Sequence, residues 1–186
     1  MIIKELNIPG VFEITLSPIG DSRGFFMRTY DVELLKNAGL HREWLQENHS
    51  RSDQKHIIRG LHCQQHPYSE TKLVRCIRGS IFDVAVDLRK DSPTFGMWVG
   101  AELSEENKKM LYIPRGFAHG FCTLTETSEV VYKVDNVYSK EHEIGLAWND
   151  NDINIQWPTS KPILSEKDKN NITLEAFSKK HQFIKQ

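Results

Sequence analysis

The sequence is short of cysteine, of net charge, of helical stretches and of long apolar runs, and each shortage removes a class of protein. Its three cysteines, Cys63, Cys76 and Cys122, show no C-x-x-C spacing, so neither a disulfide framework nor a zinc knuckle is indicated, and all three read as reduced and partly buried. Twenty-four basic residues against 25 acidic ones leave a net charge of -1. The chain as a whole therefore offers no surface for a polyanion: no nucleic-acid partner is expected, and any phosphate must be met by local arginines. The opening "MIIKELNIPG" places a Lys and a Glu among its first five residues and lacks the apolar core of a signal peptide, while no stretch approaches a membrane span. The expectation is a cytoplasmic protein with no membrane partner. No repeat, low-complexity tract or Pro/Ser-rich linker divides the 186 residues, a length that suits one domain over 1–186.

What the chain does have is a turn signal every ten residues or so, the spacing of an all-β sandwich or barrel. "KLVRCIRGSIFDVAVDLR" at 72–89 sets two alternating runs on either side of Arg78-Gly79-Ser80 and reads as a β-hairpin, its second run placing Phe82, Val84, Val86 and Leu88 on one face. Further strands are predicted over 10–16, 24–30, 44–50, 57–64, 97–103, 110–114, 119–124, 129–136 and 144–148. Helix is confined to "DVELLKNAGL", capped by Asp31 and stopped at Gly39, and to "SEKDKN", opened by Ser165. Residues 176–186 read as a frayed or partner-docked tail. The predicted fold class is mainly β, a double-stranded jelly roll of cupin-like kind, sandwich or barrel, with a few short helices. Strand parity then puts His62 and Gln64 on one face, Lys72, Val74 and Cys76 on another, and Val130, Tyr132 and Val134 on a third. Arg59 has the wrong parity to share a cavity with His62 unless the chain breaks alternation, and Gly60 is the residue that permits such a bulge.

Three chemistries compete for these side chains. His62, His66, Glu70 and His119 are the ligand types of a metal cupin, and "PRGFAH" at 114–119 has the P-x-G-x-x-H form. The matching His-x-His motif is missing, because His62-Cys63-Gln64 stands in its place and Glu70 lies eight residues after His62. Cys63 beside His62 suggests a thiolate–imidazole pair, yet neighbours on a strand point to opposite faces. Proton transfer without metal requires a base, an acid on the other face of the substrate and a cation for a developing oxyanion, and His62, Tyr132 and Lys72 supply those types. Against all three stands the commoner fate of a single His on an apolar strand, that of a satisfied core residue.

Taken together, "DSRGFF" (21–26), "QENHSRS" (46–52), "IRGLHCQ" (58–64), the run 72–96, "YIPRGFAHGF" (112–121), the run 130–150 and "IQWP…ILSEKD" (155–168) resemble the dTDP-4-dehydrorhamnose 3,5-epimerase family of deoxysugar-nucleotide epimerases. The resemblance implies a metal-independent, cupin-like jelly roll without cofactor, working as a homodimer with exchanged N-terminal strands. Its substrate would be a nucleotide-diphosphate sugar, a 4-keto-6-deoxyhexose inverted at C3 and C5 through an enolate, in deoxysugar and rhamnose biosynthesis of the kind that supplies lipopolysaccharide O-antigen. By matching position His62 is implied as the base, Asp168 as its partner, Tyr132 as the acid and Lys72 as the cation at O4. Arg59 and a partner subunit's Arg23 would hold the diphosphate, and Phe26, Gln46, Asn48, Gln64, His119, Tyr138 and Glu143 would bind substrate. Two positions depart from the family's common pattern: Arg28 where a Glu is usual, and Glu70 where a Gln is usual. Enzymes on the same scaffold also invert only one centre or act on CDP- or GDP-linked sugars, and a non-catalytic sugar-nucleotide-binding jelly roll is the remaining alternative.

Overall fold

The computed structural model describes residues 1–181. Its strands, in chain order, are β1 (Ile2–Glu5), β2 (Phe12–Thr15), β3 (Ile19–Asp21), β4 (Gly24–Phe26), β5 (Gln46–Ser52), β6 (Ile58–Gln64), β7 (Lys72–Arg78), β8 (Ser80–Asp87), β9 (Trp98–Ser104), β10 (Lys109–Ile113), β11 (Phe117–Thr123), β12 (Ser128–Val134) and β13 (Glu143–Gly145). They form a six-stranded sheet in the order β1-β2-β10-β7-β12-β5 and a five-stranded sheet in the order β13-β6-β11-β8-β9, with β3 and β4 as a separate two-stranded arm. Every pairing between strands is antiparallel. Two sheets face to face with this crossed order make the predicted mainly β jelly roll.

Three apolar clusters explain the layering. The first lies between the sheets, where Val74, Cys76, Leu111 and Val130 of the larger sheet meet Ile81, Ala85, Leu103 and Phe121 of the smaller. The second covers the outer face of the smaller sheet: Leu61, Cys63, Val84 and Val86 pack under Leu146, Ile153, Leu174 and Phe177 of the C-terminal segment. The third backs the larger sheet with Leu35 and Leu40 against Leu73, Met110 and Tyr112. Because β8 is covered on both faces, its middle reads as a near-continuous apolar run, Ile81 to Val86 broken only by Asp83.

The stretch 72–89 is not a hairpin. β7 pairs with β10 and β12 in one sheet, while β8 pairs with β11 and β9 in the other. The single residue between them, Gly79, has φ +69°, and the chain crosses there from layer to layer. Val74 and Cys76 of β7 and Ile81 and Ala85 of β8 therefore meet from opposite sides of the inter-sheet core. The strand predicted over 24–30 is shortened to Gly24–Phe26, and β1 and β3 were not anticipated.

The helices follow their caps. In α1 (Val32–Asn37) the Asp31 carboxylate accepts from the backbone N–H groups of Glu33 and Leu34, and Gly39, with φ +71°, lies just beyond the end. In α2 (Glu166–Lys169) the Ser165 hydroxyl accepts from the Asp168 N–H at 3.1 Å. Residues 176–180, read from sequence as the start of a frayed or partner-docked tail, belong to α3 (Leu174–Lys180), capped by Thr173 and anchored by the buried Phe177. One apolar stripe of Leu174 and Phe177 docks this helix on the second cluster. The rest of that tail, 182–186, lies outside the described residues.

Candidate active site

Arg59, His62, His119 and Phe121 of the smaller sheet, Lys72 and Tyr132 of the larger, and Ile163, Leu164, Ser165, Lys167 and Asp168 of the C-terminal segment line a cleft of about 420 Å³. The break in parity that Arg59 requires is present. His119 pairs with His62 and Phe121 pairs with Arg59, so two steps along β11 match three along β6, and one extra residue bulges out of β6. Gly60 makes this possible. Its φ is +129°, and a Cβ there would stand 2.5 Å from the Gly120 Cα and 2.9 Å from the His119 carbonyl oxygen. The two strands touch backbone to backbone, and both Arg59 and His62 turn into the cleft.

The His62 Nε2 and the Asp168 Oδ1 are 2.6 Å apart, joined by a hydrogen bond that spans 106 positions of sequence. Asp168 is buried, 5% exposed. Burial pushes its carboxyl up, but the hydrogen bond and charge of His62, with help from Ser165 and the Gly60 N–H, outweigh it and hold the group below the usual carboxylate range. Asp168 is therefore an anion at neutral pH, aimed at the imidazole by the cap of a one-turn helix. The other ring nitrogen of His62 has no protein partner among the described residues.

Lys72 opens β7 and is almost fully buried; its Nζ lies 3.2 Å from Glu70 Oε1 and 6.0 Å from the centre of the Tyr132 ring. Tyr132 pairs with Val74 on one side and Asn48 on the other. His119 forms a second imidazole–carboxylate pair, 2.7 Å from Asp83 Oδ1, and Asp83 is wholly buried with Oδ2 lacking a partner. The two histidines thus answer to two different carboxylates. Among the described residues no group of three or more His, Cys, Asp or Glu side chains is gathered as a set of metal donors. Cys63 points away from the cleft into the second cluster, and burial raises its thiol to about 12, which leaves it no nucleophilic role at neutral pH.

Arg59 donates to the Ser52 hydroxyl and the Arg51 carbonyl and keeps an exposed head at the cleft. Tyr138 donates to Glu143 at 2.8 Å, and Lys167 holds the same carboxylate at 2.6 Å. Gln46 accepts from the Tyr138 N–H, and Asn48 is exposed beside it on the edge strand β5; both stand next to the cleft rather than in its wall. Gln64 does not reach the cleft at all. Its oxygen accepts from the Ser139 N–H at 2.6 Å, and the two hydrogens of its amide nitrogen are shared among the Tyr68 and Val137 carbonyls and the Glu70 carboxylate, so its donors are taken up within the protein. Arg23 and Phe26 sit on the β3–β4 arm, outside the cleft of their own chain; the Arg23 side chain is 87% exposed and meets Asp21, and Phe26 is 68% exposed. Sequence reasoning missed Ser50, Ile163, Leu164, Ser165 and Lys167 of the cleft wall. For the last two the signal was available, since they flank Asp168 on a capped turn.

A family model described as dTDP-4-dehydrorhamnose 3,5-epimerase matches residues 5–176. A curated dTDP-4-dehydrorhamnose 3,5-epimerase of Shigella flexneri is 52% identical over 171 residues, 91% of this chain and 94% of that one. Among solved structures, the dTDP-4-dehydrorhamnose 3,5-epimerase of Bacillus anthracis with TDP and PPi bound superposes with a TM-score of 0.90 at 44% identity, covering 92% of this chain and 98% of its own. The Legionella pneumophila enzyme in complex with dTDP-4-keto-L-rhamnose gives a TM-score of 0.93 at 38% identity, covering 99% and 98%. A family model that spans nearly the whole fold, together with relatives of such identity and coverage, settles the lineage: this chain belongs to the dTDP-4-dehydrorhamnose 3,5-epimerase family.

Proposed function

We propose that the chain inverts C3 and C5 of dTDP-4-dehydro-6-deoxyglucose to give dTDP-4-dehydrorhamnose. The observation that carries this reading is the placement of proton-transfer groups on two facing sheets: His62, backed by Asp168, projects from the five-stranded sheet, and Tyr132 with Lys72 projects from the six-stranded sheet into the same cleft. An epimerisation at a carbon next to a carbonyl needs that arrangement. The C4 carbonyl acidifies the neighbouring C–H bonds, His62 takes a proton from one face, and the electron pair moves onto O4 as an enolate. Lys72 faces that oxygen as a cation in a largely dry pocket, where such a contact contributes several kcal/mol to the transition state. Tyr132 then gives its phenolic proton to the carbon from the opposite face; His62 passes the proton it took to solvent and Tyr132 is recharged from solvent, which resets both groups for the second centre. Asp168 holds the imidazole in orientation and favours its charged form.

Arg59 is the fixed cation at the cleft mouth for the diphosphate. Tyr138, Glu143, Gln46 and Asn48 form a polar shelf beside it for the nucleotide and sugar, and His119, locked by Asp83, bounds the sugar from β11. The arm supports a homodimer: Ile19, Phe25 and Phe26 are all more than half exposed on it, a cost a free monomer would not carry, and the partner's copy of the arm would bring Arg23 and Phe26 to this cleft. We read the chain as one catalytic domain, and its three unpaired cysteines suit the reducing cytoplasm. No helix among the described residues is long and apolar enough to cross a membrane.

The test is incubation of purified protein with dTDP-4-keto-6-deoxyglucose in D2O, with mass spectrometry of the recovered sugar nucleotide. Two deuterons per product are expected, one at each inverted carbon. A single deuteron would make the chain a mono-epimerase, and none would reduce it to a binding protein.

A further inference from the structure

We propose that Glu70 is the positioning residue for Lys72. This rests on the reading of Lys72 as the O4 cation and goes one residue behind it. A lysine side chain has four rotatable bonds, and a cation is useful to a developing oxyanion only if its direction is fixed before the charge appears. Val74 and Cys76, further along β7, are held by close packing in the inter-sheet core, whereas the Lys72 side chain ends at the cleft wall, where its direction depends on the polar groups it meets. The only carboxylate within ion-pair distance of Lys72 among the described residues is Glu70, with Oε1 3.2 Å from Nζ. Both side chains are 11% exposed, so solvent competes little for either. Lys72 lines the cleft and Glu70 does not.

Glu70 is in turn fixed from behind. Its second oxygen, Oε2, accepts from Gln64 Nε2 at 3.0 Å, and Gln64 is itself held by the Ser139 N–H and by the Tyr68 and Val137 carbonyls. The order of support runs from backbone to Gln64, to Glu70, to Lys72. Each carboxylate oxygen therefore meets a different donor, Oε1 the Lys72 ammonium and Oε2 the Gln64 amide, and the two contacts together fix the plane of the carboxylate. Glu70 lies two residues before Lys72, in the irregular stretch that leads into β7, with the wholly buried Thr71 between them. This also assigns Gln64 a place in the site that is structural to the cation rather than in contact with the sugar.

The experiment measures the rate of deuterium incorporation and KM for six proteins: Glu70, Glu70→Ala and Glu70→Gln, each with Lys72 retained and with Lys72→Met. Removing both oxygens in Glu70→Ala should lower kcat about 20-fold with KM within threefold, because the substrate is still bound and only the direction of the cation is lost. Glu70→Gln keeps one oxygen able to accept from the ammonium and should recover kcat to within about threefold of parent. In Lys72→Met, Glu70→Ala should cost less than twofold further, since it has nothing left to position. A parent-like kcat in Glu70→Ala, an equal loss in both backgrounds, or a Glu70→Gln as slow as the Ala variant would overturn the positioning role. Absence of exchange in the parent protein would instead refute the epimerase reading itself.

Discussion

Replacing Asp168 should slow proton abstraction without removing the base, and the size of the effect can be worked from the contact. The 2.6 Å hydrogen bond to His62 is charge-assisted once the imidazole is protonated, and such bonds contribute about 1.5–3 kcal/mol. If the bond is at its strongest only when His62 has taken the substrate proton, its loss raises the barrier by that amount. At about 1.4 kcal/mol per tenfold, Asp168→Ala should lower kcat for C3 and C5 exchange by roughly 10- to 150-fold. His62→Ala removes the proton acceptor and should cost more, about 10²–10⁴-fold, the usual worth of a positioned base. Both variants should bind dTDP within a few fold of parent, because neither group meets the nucleotide in the proposed arrangement. The assay is deuterium incorporation under saturating substrate, paired with calorimetric dTDP binding to show that the cleft is intact. An Asp168→Asn variant with parental exchange would sink the dyad, since the amide keeps the shape but loses the charge that the imidazolium needs. So would a His62→Ala variant faster than Asp168→Ala.

Tyr132→Phe should uncouple exchange from inversion: deuterium still enters through His62, which can return a proton to the face it came from, while inverted product falls at least 10²-fold, and parental inversion in this variant would assign the donor elsewhere. Gly60→Ala should destabilise the fold by about 2 kcal/mol or more, from positive φ and the 2.5 Å approach to Gly120, lowering Tm by roughly 4–8 °C or more for a chain of this size; an unchanged Tm would mean that the β6 bulge is not as tight as described. Cys63, with its thiol raised to about 12, is about one part in ten thousand thiolate at pH 8, so thiol reagents should leave it unlabelled in the native protein and label it on unfolding. Rapid stoichiometric labelling of Cys63 in the folded state would contradict its burial. Light scattering should give about twice 21.6 kDa, and Phe25→Ser with Phe26→Ser should shift the protein toward monomer with loss of activity; a fully active monomer would refute the exchanged arm.

The local parts of the fold were legible because they depend on local chemistry. Asp31 and Ser165 cap the helices they were expected to cap, and alternation placed His62, Lys72 and Tyr132 on inward faces of their strands. The hairpin reading of 72–89 failed for a physical reason. Strand–turn–strand patterning is the same whether the second strand returns beside the first or crosses to a facing sheet, and the choice is made by which partners, here β10, β11 and β12, compete for the edges. α3 was missed because its apolar stripe is only Leu174 and Phe177, too short to show a period, although Thr173 was a usable cap signal.

The site shows a sharper division between what spacing and folding each decide. That Gly60 would let Arg59 and His62 share a cavity follows from parity alone, since alternation forbids it and glycine is the residue at which alternation is most easily broken. That His62 meets Asp168 across 106 positions follows from no local rule; it depends on the C-terminal segment wrapping back over β6, where Leu146 and Leu61 exchange backbone hydrogen bonds and the short helix α2 comes to rest against the strand. Gln64 shows the converse error. Its strand parity matched that of His62, yet parity fixes only the side of the sheet, and on that side Ser139, Tyr68 and Val137 had already taken its hydrogen-bonding groups. A polar residue at the right parity is a candidate for substrate contact only while its own donors and acceptors are unsatisfied. By that criterion His62, with one ring nitrogen committed to Asp168 and the other unpartnered, and Lys72, with one carboxylate behind it and the cleft before it, remain open to a ligand, whereas Gln64 is closed.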